Sequence, residues 1–469
     1  MYIAHRLHRF PLIIPELIIP ESMLRTATSI ILLLLLFAAH PAGAAEQQDL
    51  IDRFDITAGT AISLDSEPPF WMWANRDGII PDDTGTTSFT RLQLGKEADD
   101  YKRFDWTYGL DVTARSSGDS DVLFTDAYVG LKFSDLHLTL GRKSEFFGLA
   151  DSLLTVGPEA YSRNAPPIPK IAISTNGFVD VADWLGVNAY FAHGWLGSEH
   201  YVPDAYLHQK YLYLKLGSTV PDEGVNFLAG IHHLAEWGGA GQPSRFKDFL
   251  RILVGKSGDE RATKSDQKNA LGNHLGSIEY ALQFKGYSRD WYLYVQTLFE
   301  DGSGLRFWYP ADYLAGLSLI SKEPSDHFRR FNVEYIDTRS GGKNPAEPDN
   351  YFTNGTYGGW VYEGWGIGHP FIRFISLAPL NRITGANASL MLRYGDMLNP
   401  LLRVAWVRNS GSFSAPLEGE EQTYLVSLDV TNMMYLRDGW SLTQQLSIDT
   451  GSGSELNPGL LLTVTKSLL

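Results

Sequence analysis

Apolar and polar residues alternate with a period of two along most of the chain. In "DWTYGLDVTAR", Trp106 and Leu110 fall on one face, and Asp105 and Arg115 fall on the other. The stretches "HLGSIEYALQF", "QTYLVSLDVTN", "WSLTQQLSIDTG" and "GLLLTVTKSL" keep this alternation for ten or more residues. A soluble β-sandwich also alternates, but its strands seldom run so long. Strands of about 9 to 11 residues with one apolar face are typical of a transmembrane β-barrel.

The lengths of the connections strengthen this prediction. We predict eighteen strands, with sixteen as the alternative, and every second connection between them is short. The other connections include the long stretches 65–88, 143–170, 234–273 and 339–386. Short turns at one end and long loops at the other are typical of an outer-membrane barrel. We therefore expect an all-β, antiparallel transmembrane barrel whose wide lumen holds water or inward-folded loops.

The N-terminus has the features of an export signal. Arg25 precedes the apolar run 30–39, and Ala42 and Ala44 form a small-x-small cleavage pattern. We interpret residues 1–44 as an upstream extension plus signal peptide, with Met23 as the true start, because three prolines interrupt residues 1–22. Residues 45–469 are predicted to form a single barrel domain.

Composition limits the classes of partner and chemistry. The chain has no cysteine, so disulfides and thiolate metal sites are excluded. Its net charge is −15, and the predicted leader carries three arginines and two glutamates, which leaves −16 on the remainder. Such a charge disfavours nucleic acid as a partner. We identify no metal-ligand spacing or nucleophile motif and predict neither a cofactor nor an enzymatic activity.

Two loops combine aromatic and charged residues in ways that suit sugars. In "SEPPFWMWANRDG", Trp71 and Trp73 lie beside Asn75 and Arg76. Aromatic faces next to amide and charged groups bind sugar rings, although the same residues would also suit the aromatic girdle at the membrane interface. In "GRKSEFFGLADSLLTVGPEAYSRNAPPIPKI", several prolines predict a stiff loop that packs in the barrel mouth, occludes the pore or contacts a polymer.

A third long connection is locally basic. Phe246, Phe249, Leu250 and Leu253 are spaced as in a short helix on or in the mouth. Between residues 244 and 274, seven cationic side chains outnumber four acidic ones. This excess would attract an anionic polymer or lipopolysaccharide phosphate, unless the stretch is only a solvated helix face.

Two adjacent acids end the strand in "RDWYLYVQTLFEDGSGL". Glu300 and Asp301 follow Phe299, where this strand is expected to leave the membrane. Neighbouring residues of an extended chain point to opposite faces, which is poor geometry for a catalytic carboxylate pair. We expect a solvated turn or a ligand-contacting loop.

Several stretches resemble the Wzi family of outer-membrane capsule-assembly proteins, in particular its Bacteroidetes-type members. They are "PFWMWANRDG", "LGRKSEFFGL", "NAPPIPKI", "NALGNHLGSIEY" and "FEDGSGL". The resemblance implies an eighteen-stranded barrel with a largely occluded lumen and outer loops that bind capsular polysaccharide or exopolysaccharide. Two features depart from the family pattern. The chain ends on Leu469 rather than on an aromatic residue, and residues 50–64 already predict a strand, whereas enterobacterial members carry a helical bundle ahead of the barrel.

We therefore expect a monomeric, non-enzymatic barrel in the Gram-negative outer membrane that retains polysaccharide at the cell surface and contacts lipid and lipopolysaccharide. A diffusion porin and an outer-membrane hydrolase are the alternatives. The candidate carbohydrate-binding residues are Trp71, Trp73, Asn75, Arg76, Arg142, Glu145, Arg163, Asn164, Trp237, Arg245, Arg251, Asn273, Glu300, Asp301 and Trp308.

Overall fold

The computed structural model describes residues 50–218, 223–300, 312–341, 349–452 and 454–469. The predictions for residues 1–44, for Asp301 and for Trp308 lie outside the described residues.

Within the described ranges, eighteen strands form the wall, which confirms the predicted fold class and strand number. They are β1 (Arg53–Ser63), β2 (Thr86–Lys96), β3 (Phe104–Ser117), β4 (Asp119–Phe133), β5 (Leu136–Arg142), β6 (Lys170–Thr175), β7 (Leu185–Trp195), β8 (Tyr206–Gly217), β9 (Gly224–Trp237), β10 (Asn273–Lys285), β11 (Arg289–Phe299), β12 (Tyr313–Ser321), β13 (Phe328–Asp337), β14 (Ile383–Leu392), β15 (Pro400–Asn409), β16 (Thr423–Tyr435), β17 (Trp440–Gly451) and β18 (Ser454–Ser467). The short strand Val179–Ala182 continues the pairing of β6 along β7.

The sheet closes on itself. Each strand pairs antiparallel with the next one, and β18 pairs with β1 from Asp55 opposite Ser467 to Ser63 opposite Gly459. In hydrocarbon, an open sheet edge would leave amide groups unpaired at a cost of several kcal/mol each. Closure removes that edge.

The two faces of the wall have opposite polarity. On β8, Leu212, Leu214 and Leu216 are exposed, whereas the intervening Tyr213 is buried. Tyr213 donates a hydrogen bond to Glu279 of β10, which is fully buried in the lumen. Exposed apolar side chains therefore mark the outer face, and side chains of the other parity mark the lumen, as expected for a barrel in a bilayer.

All the long connections leave the same end of the barrel. They contain the helices α1 (Phe70–Trp73), α2 (Phe246–Leu253) and α3 (Lys264–Lys268). The loop after β13 contains three small hairpins, formed by Thr353–Asn354 with Gly358–Gly359, Val361–Tyr362 with Trp365–Gly366, and Arg373–Ile375 with Ala378–Leu380. A 3₁₀ turn, Gly419–Glu421, precedes β16. Across the described ranges, no helix is long and apolar enough to span a membrane.

Candidate functional site

Three long loops fold into the lumen from the mouth. We call them inner loop 1 (residues 64–85), inner loop 2 (residues 143–169) and inner loop 3 (residues 349–382). They carry most of the large fully buried aromatic side chains, including Phe70, Tyr351, Phe352, Tyr357 and Trp360. Because an eighteen-stranded barrel is too wide for wall side chains to fill, these loops supply the core of the lumen.

Inner loop 2 is held by carboxylates that project from the wall. The backbone N–H of Leu149 donates to Glu279 at 2.6 Å, and Gln296 donates to the same carboxylate at 2.8 Å. Further along the loop, Val156 N–H and the Thr155 hydroxyl donate to Glu334 at 2.9 and 2.6 Å. Bonds from backbone donors to buried carboxylates are strong, so they fix the path of the loop.

The deepest described anchor of inner loop 2 is Asp151. Its carboxylate is fully buried and accepts from Arg330 at 2.8 Å and from the Ser318 hydroxyl at 2.6 Å. It also accepts from the N–H groups of Leu153 and Leu154. Since Arg330 lies near the start of β13, at the end opposite the mouth, inner loop 2 runs through most of the lumen.

Gly148 allows inner loop 2 to approach the wall. Its φ is +99°, and a Cβ atom there would lie 2.7 Å from Gln296 Nε2 and 2.9 Å from Glu279 Oε2. A side chain at this position would be strained by the backbone angle and would also overlap the carboxylate network.

Inner loop 1 buries both tryptophans that were expected to be sugar platforms. Trp71 and Trp73 are each 2% exposed. The Arg403 guanidinium lies 4.3 Å from the Trp71 ring centroid, and the Arg373 guanidinium lies 4.8 Å from that of Trp73. The apolar run 70–73 folds inward as α1 and packs in the lumen. The two tryptophans therefore lie neither on an exposed sugar-binding loop nor in the aromatic girdle at the membrane interface, the two positions that the sequence suggested.

Asn75 and Arg76 mainly position inner loops 1 and 2. Asn75 Nδ2 donates to the Val156 carbonyl oxygen. Arg76 Nη2 donates to Gln445 Oε1 at 2.5 Å, and burial lowers the pKa of Arg76 to about 10. Both side chains remain partly exposed.

Arg163 and Asn164 lie at the end of inner loop 2. Arg163 keeps 42% of its side chain exposed while it pairs with the buried Asp77 at 2.5 Å. Asn164 is buried and donates to the Gly366 carbonyl oxygen at 3.1 Å. Of these two candidates, Arg163 is the one that is open to a ligand.

Glu145 lies in a narrow crevice lined by Lys143, Phe147, Arg163 and other residues of inner loops 1 and 2. Its carboxylate accepts from the Tyr190 hydroxyl at 3.0 Å and lies 3.5 Å from Lys170 Nζ. Arg142, at the end of β5, pairs with Glu363 of inner loop 3 at 2.8 Å and lies over the Tyr362 ring. The predicted residues Glu145 and Arg163, both of inner loop 2, line this one crevice, whereas the partner of Arg142 in inner loop 3 was not predicted.

The fourth long loop takes the opposite direction. We call residues 238–272 the outer flap, because α2 packs on the outer face of the wall. Arg245 is exposed at the start of α2, and Arg251 bonds both Asp248 and Asp259 at 3.0 Å. The lumen receives none of the described side chains of α2.

Two further candidates flank the outer flap. Trp237, at the end of β9, is buried beneath α2, with its ring centroid 5.4 Å from that of Phe249. Asn273 begins β10 and donates to the buried Glu236 at 2.7 Å. Neither side chain is exposed to a ligand in this structure.

Glu300 stabilises inner loop 3. Its carboxylate accepts from the Phe352 N–H at 2.6 Å, so it is an anchor rather than a solvated turn residue. Asp301 and Trp308 lie outside the described residues.

The exposed part of the site is a contiguous surface that we call the mouth surface. It consists of Arg142, Arg163, Glu363, Trp365 and Arg373. Trp365 is partly exposed and lies 6.3 Å, centroid to centroid, from buried Trp73, whose ring also contacts Arg373. Each guanidinium group is ion-paired: Arg142 with Glu363, Arg163 with Asp77, and Arg373 with Asp82 at 3.1 Å. The N–H donors that these pairs leave free and the indole together offer polar and apolar contacts to a sugar.

Sequence reasoning missed Glu363, Trp365 and Arg373. The run "YGGWVYEGWGIGHP" in inner loop 3, rich in glycine and aromatics, was the available signal. Its lack of regular periodicity gave no reason to place it beside Trp73.

Inner loop 2 also contains an isolated acid. Glu159 is fully buried, and burial raises the pKa of its carboxyl group well above the usual value, with Asp312 and Glu279 adding to the shift. Neither side-chain oxygen has a hydrogen-bond partner within the described structure. Among the described residues, no group of three or more His, Asp or Glu side chains is placed to hold a metal ion.

The closed strand wall, its apolar outer face and its loop-filled lumen define an outer-membrane β-barrel with the long loops facing the cell exterior. The family model for the capsule assembly protein Wzi matches residues 82–449. The chain therefore belongs to the Wzi capsule-assembly family.

The solved structure of a Wzi protein shares the fold. The Escherichia coli outer-membrane protein Wzi, a carbohydrate-binding β-barrel involved in group 1 capsule assembly, is 14% identical with a TM-score of 0.60, and the match covers 91% of this chain and 89% of that one. Pseudomonas aeruginosa OccK5 is 10% identical with a TM-score of 0.47, covering 91% and 99%. Acinetobacter baumannii OccAB4 is 9% identical with a TM-score of 0.45, covering 88% and 97%. No curated protein matches the sequence.

Proposed function

We propose that this barrel binds capsular polysaccharide or exopolysaccharide on its mouth surface and retains it at the cell surface without chemical conversion. The observation that carries this proposal is the grouping of three partly exposed arginines, Arg142, Arg163 and Arg373, with the partly exposed Trp365 above a lumen filled by three loops. Because those loops occupy the lumen, a polymer chain lies across the mouth instead of threading the barrel.

The chemistry of the mouth surface suits a glycan. An indole face packs on the apolar face of a sugar ring, while guanidinium groups donate hydrogen bonds to hydroxyls or pair with uronate carboxylates. Each contact is weak, but a repeating polymer engages many barrels at once. Retention then arises from multivalency rather than from one tight site.

The membership of the Wzi family supports the same function. The related Escherichia coli protein is a carbohydrate-binding barrel involved in capsule assembly. Because the identity is low, this likeness supports the fold alone. The proposal of a polysaccharide ligand for the present chain therefore depends on the chemistry of its mouth surface.

We further infer a monomer surrounded by outer-membrane lipid. The wall closes within one chain, so no second copy is needed to complete the sheet. Exposed apolar side chains on the outer face, such as Phe191, Leu212 and Phe227, suit contact with acyl chains.

The test is binding of purified protein to the polysaccharide of its own host. The variant Arg163→Ala/Trp365→Ala/Arg373→Ala should bind at least roughly tenfold more weakly, because binding hot spots concentrate in Trp and Arg. Arg245→Ala/Lys256→Ala on the outer flap is the control for loss of charge and should bind like wild type. Equal binding by wild type and the mouth variant would exclude the mouth surface.

A planar-bilayer recording separates this proposal from the porin alternative. Wild-type protein should give no large stepwise conductance, since the inner loops fill the lumen. Large steps, together with no polysaccharide binding, would favour a porin. Shortened glycan products after incubation with the protein would favour a hydrolase instead.

A further inference from the structure

Strand parity shows that α2 lies on the outside of the barrel. On β7, β8 and β9, the outer face carries Phe191, Leu212 and Phe227, all exposed. Residues of the same parity nearer the mouth include His193, Tyr206, His208, Lys210, His233 and Trp237. The pairings among β7, β8, β9 and β10 run without a bulge, so these side chains also point outward.

The outer flap covers this polar part of the outer wall. The Phe249 ring centroid lies 5.7 Å from His208 and 5.9 Å from His193. Lys210 Nζ donates to the carbonyl oxygen of Leu253 at the end of α2. Where the wall would otherwise expose histidine and lysine, the flap therefore provides a cover.

The other side of α2 is apolar and exposed. Phe246, Leu250 and Val254 are 75%, 47% and 67% exposed, and their spacing of four residues places them in one stripe. Large apolar side chains grouped on a surface indicate an interaction site. On a water-facing loop this stripe would have no favourable contact.

The stripe continues the lipid-facing surface of the wall. Lys210, which bonds the end of α2, lies two residues from the exposed Leu212, roughly 7 Å along the strand. Val254 follows immediately after α2, so the stripe begins close to the apolar belt of the barrel.

Cations accompany the stripe. Arg245 precedes α2 and Lys256 follows it, and both are exposed without an ion pair among the described residues. Lys247, Arg251 and Arg261 share two carboxylates, Asp248 and Asp259, so this cluster also keeps a positive balance. A helix with an apolar face and flanking cations is typical of one lying at a membrane interface.

We propose that the outer flap is a lipid anchor: its stripe inserts into the acyl layer of the outer leaflet, and its cations bind phosphate groups of that leaflet's glycolipid. This surface is distinct from the mouth surface. It ties the barrel to the lipid in which it sits, whereas the mouth surface binds polysaccharide.

The depth of α2 is measurable because the chain has no cysteine. Single nitroxide labels at Phe246→Cys, at Leu214→Cys on the wall and at Asp119→Cys, the exposed first residue of β4, are compared in vesicles containing diphosphoryl lipid A. The label at residue 246 should resemble the label at residue 214 in its collision rates. For both labels, apolar oxygen should enhance spin relaxation more than a water-soluble nickel complex does, because both lie in the acyl layer. If the label at residue 246 behaves like the label at residue 119, the anchor is excluded.

Phosphate binding is tested separately. Native mass spectrometry in detergent gives the affinity of the protein for diphosphoryl lipid A. Arg245→Gln/Lys256→Gln should weaken it roughly tenfold, since each surface cation near anionic lipid contributes a favourable interaction. Lys102→Gln/Arg437→Gln, at the opposite end of the barrel, removes the same charge and should leave the affinity unchanged.

Two results would overturn the phosphate part. One is that the Lys102→Gln/Arg437→Gln variant loses as much affinity for diphosphoryl lipid A as the Arg245→Gln/Lys256→Gln variant does. The other is that wild-type protein binds dephosphorylated lipid A as tightly as diphosphoryl lipid A. A third result would assign the flap to the glycan site. It is that host polysaccharide shields the label at residue 246 from the nickel complex, whereas lipid vesicles leave that label accessible to the complex. A failure of the mouth variant in the polysaccharide assay affects none of these readouts, so the two proposals fail independently.

Discussion

Inner loop 2 and the outer flap leave the same end of the barrel but fold to opposite sides of the wall. Inner loop 2 enters the lumen, where wall carboxylates such as Glu279 and Glu334 accept bonds from its backbone. The outer flap turns outward onto histidine and aromatic side chains, with Phe249 and Ile252 facing the wall. Both loops thereby cover polar wall positions.

The two loops differ in what surrounds the side that faces away from the wall. Inner loop 2 is surrounded by protein, so nearly all its polar groups need partners within the lumen. The outer flap has protein on one side only, and its other side carries Phe246 and Leu250. Large exposed apolar side chains grouped in this way indicate an interaction site, and the membrane is the apolar surface next to which we propose that the outer flap lies.

The largest expected effect comes from removing each loop in turn. Replacing residues 145–166 with a short Gly-Ser linker should open a passage, because inner loop 2 runs through most of the lumen and inner loops 1 and 3 leave its place unfilled. Stepwise conductance should appear in planar bilayers. Replacing residues 240–270 should give none, since the outer flap lies outside the lumen. Conductance in the second deletion would contradict the outward position of the flap.

A second comparison uses one buried aspartate from each loop. Asp151→Asn leaves Arg330 without its carboxylate in the lumen and should cost about 3 to 5 kcal/mol. Asp248→Asn should cost only about 1 kcal/mol, because Arg251 and Arg261 are partly exposed and keep Asp259. Urea unfolding from vesicles measures both free energies. Equal losses would show that the two anchors are equivalent.

Glycines with positive φ provide a third comparison. Gly148→Ala should lose about 1 to 2 kcal/mol from its backbone angle and about 1 to 3 kcal/mol more from overlap with Gln296 and Glu279. Gly241→Ala in the outer flap has a similar φ, +77°, but no atom within 4 Å of the added Cβ. Gly241→Ala should therefore lower the free energy of unfolding only by the backbone contribution of about 1 to 2 kcal/mol. The same unfolding assay checks the difference, and identical losses would argue against close packing at Gly148.

The smallest effect is a slope with pH. Folding raises the pKa of the Glu159 carboxyl group. Above about pH 4.5, Glu159 therefore loses its proton in the unfolded chain but keeps it in the folded protein. Stability should therefore fall as pH rises from 4.5 towards the raised value, by at most about 1.4 kcal/mol per pH unit. Glu159→Gln should remove this slope. The difference between wild type and variant isolates Glu159 from His369, whose pKa is lowered to about 3 by burial.

The outer flap should respond to pH with the opposite sign. Arg261, Lys247 and Arg251 hold the pKa of Asp259 below its usual value, so the stability they supply is present above about pH 3.8 and is lost as pH falls further. Protease cleavage within residues 238–272 should therefore increase on acidification, while no such increase is expected from Glu159 in inner loop 2. Cleavage rates measured at matched protease activity check this contrast.

The choice of site residues shows where sequence reasoning reached its limit. Arg142 and Arg163 were predicted and lie on the mouth surface, whereas Trp71 and Trp73 were predicted and are buried. Both tryptophans belong to an apolar stretch flanked by polar residues, which suits either a sugar platform or a core. Only the position of inner loop 1 inside the barrel distinguishes the two.

By itself the sequence determined the barrel and the end from which the long loops leave, and it favoured eighteen strands over sixteen. These features follow from period-two alternation and from the parity of connection lengths, both of which are local along the chain. The tertiary structure alone decided which loops fold inward, which one folds outward and which side chains meet at the mouth. Those outcomes depend on pairs such as Asp151 with Arg330, or Lys210 with Leu253, that lie far apart in sequence and are joined only when the sheet closes.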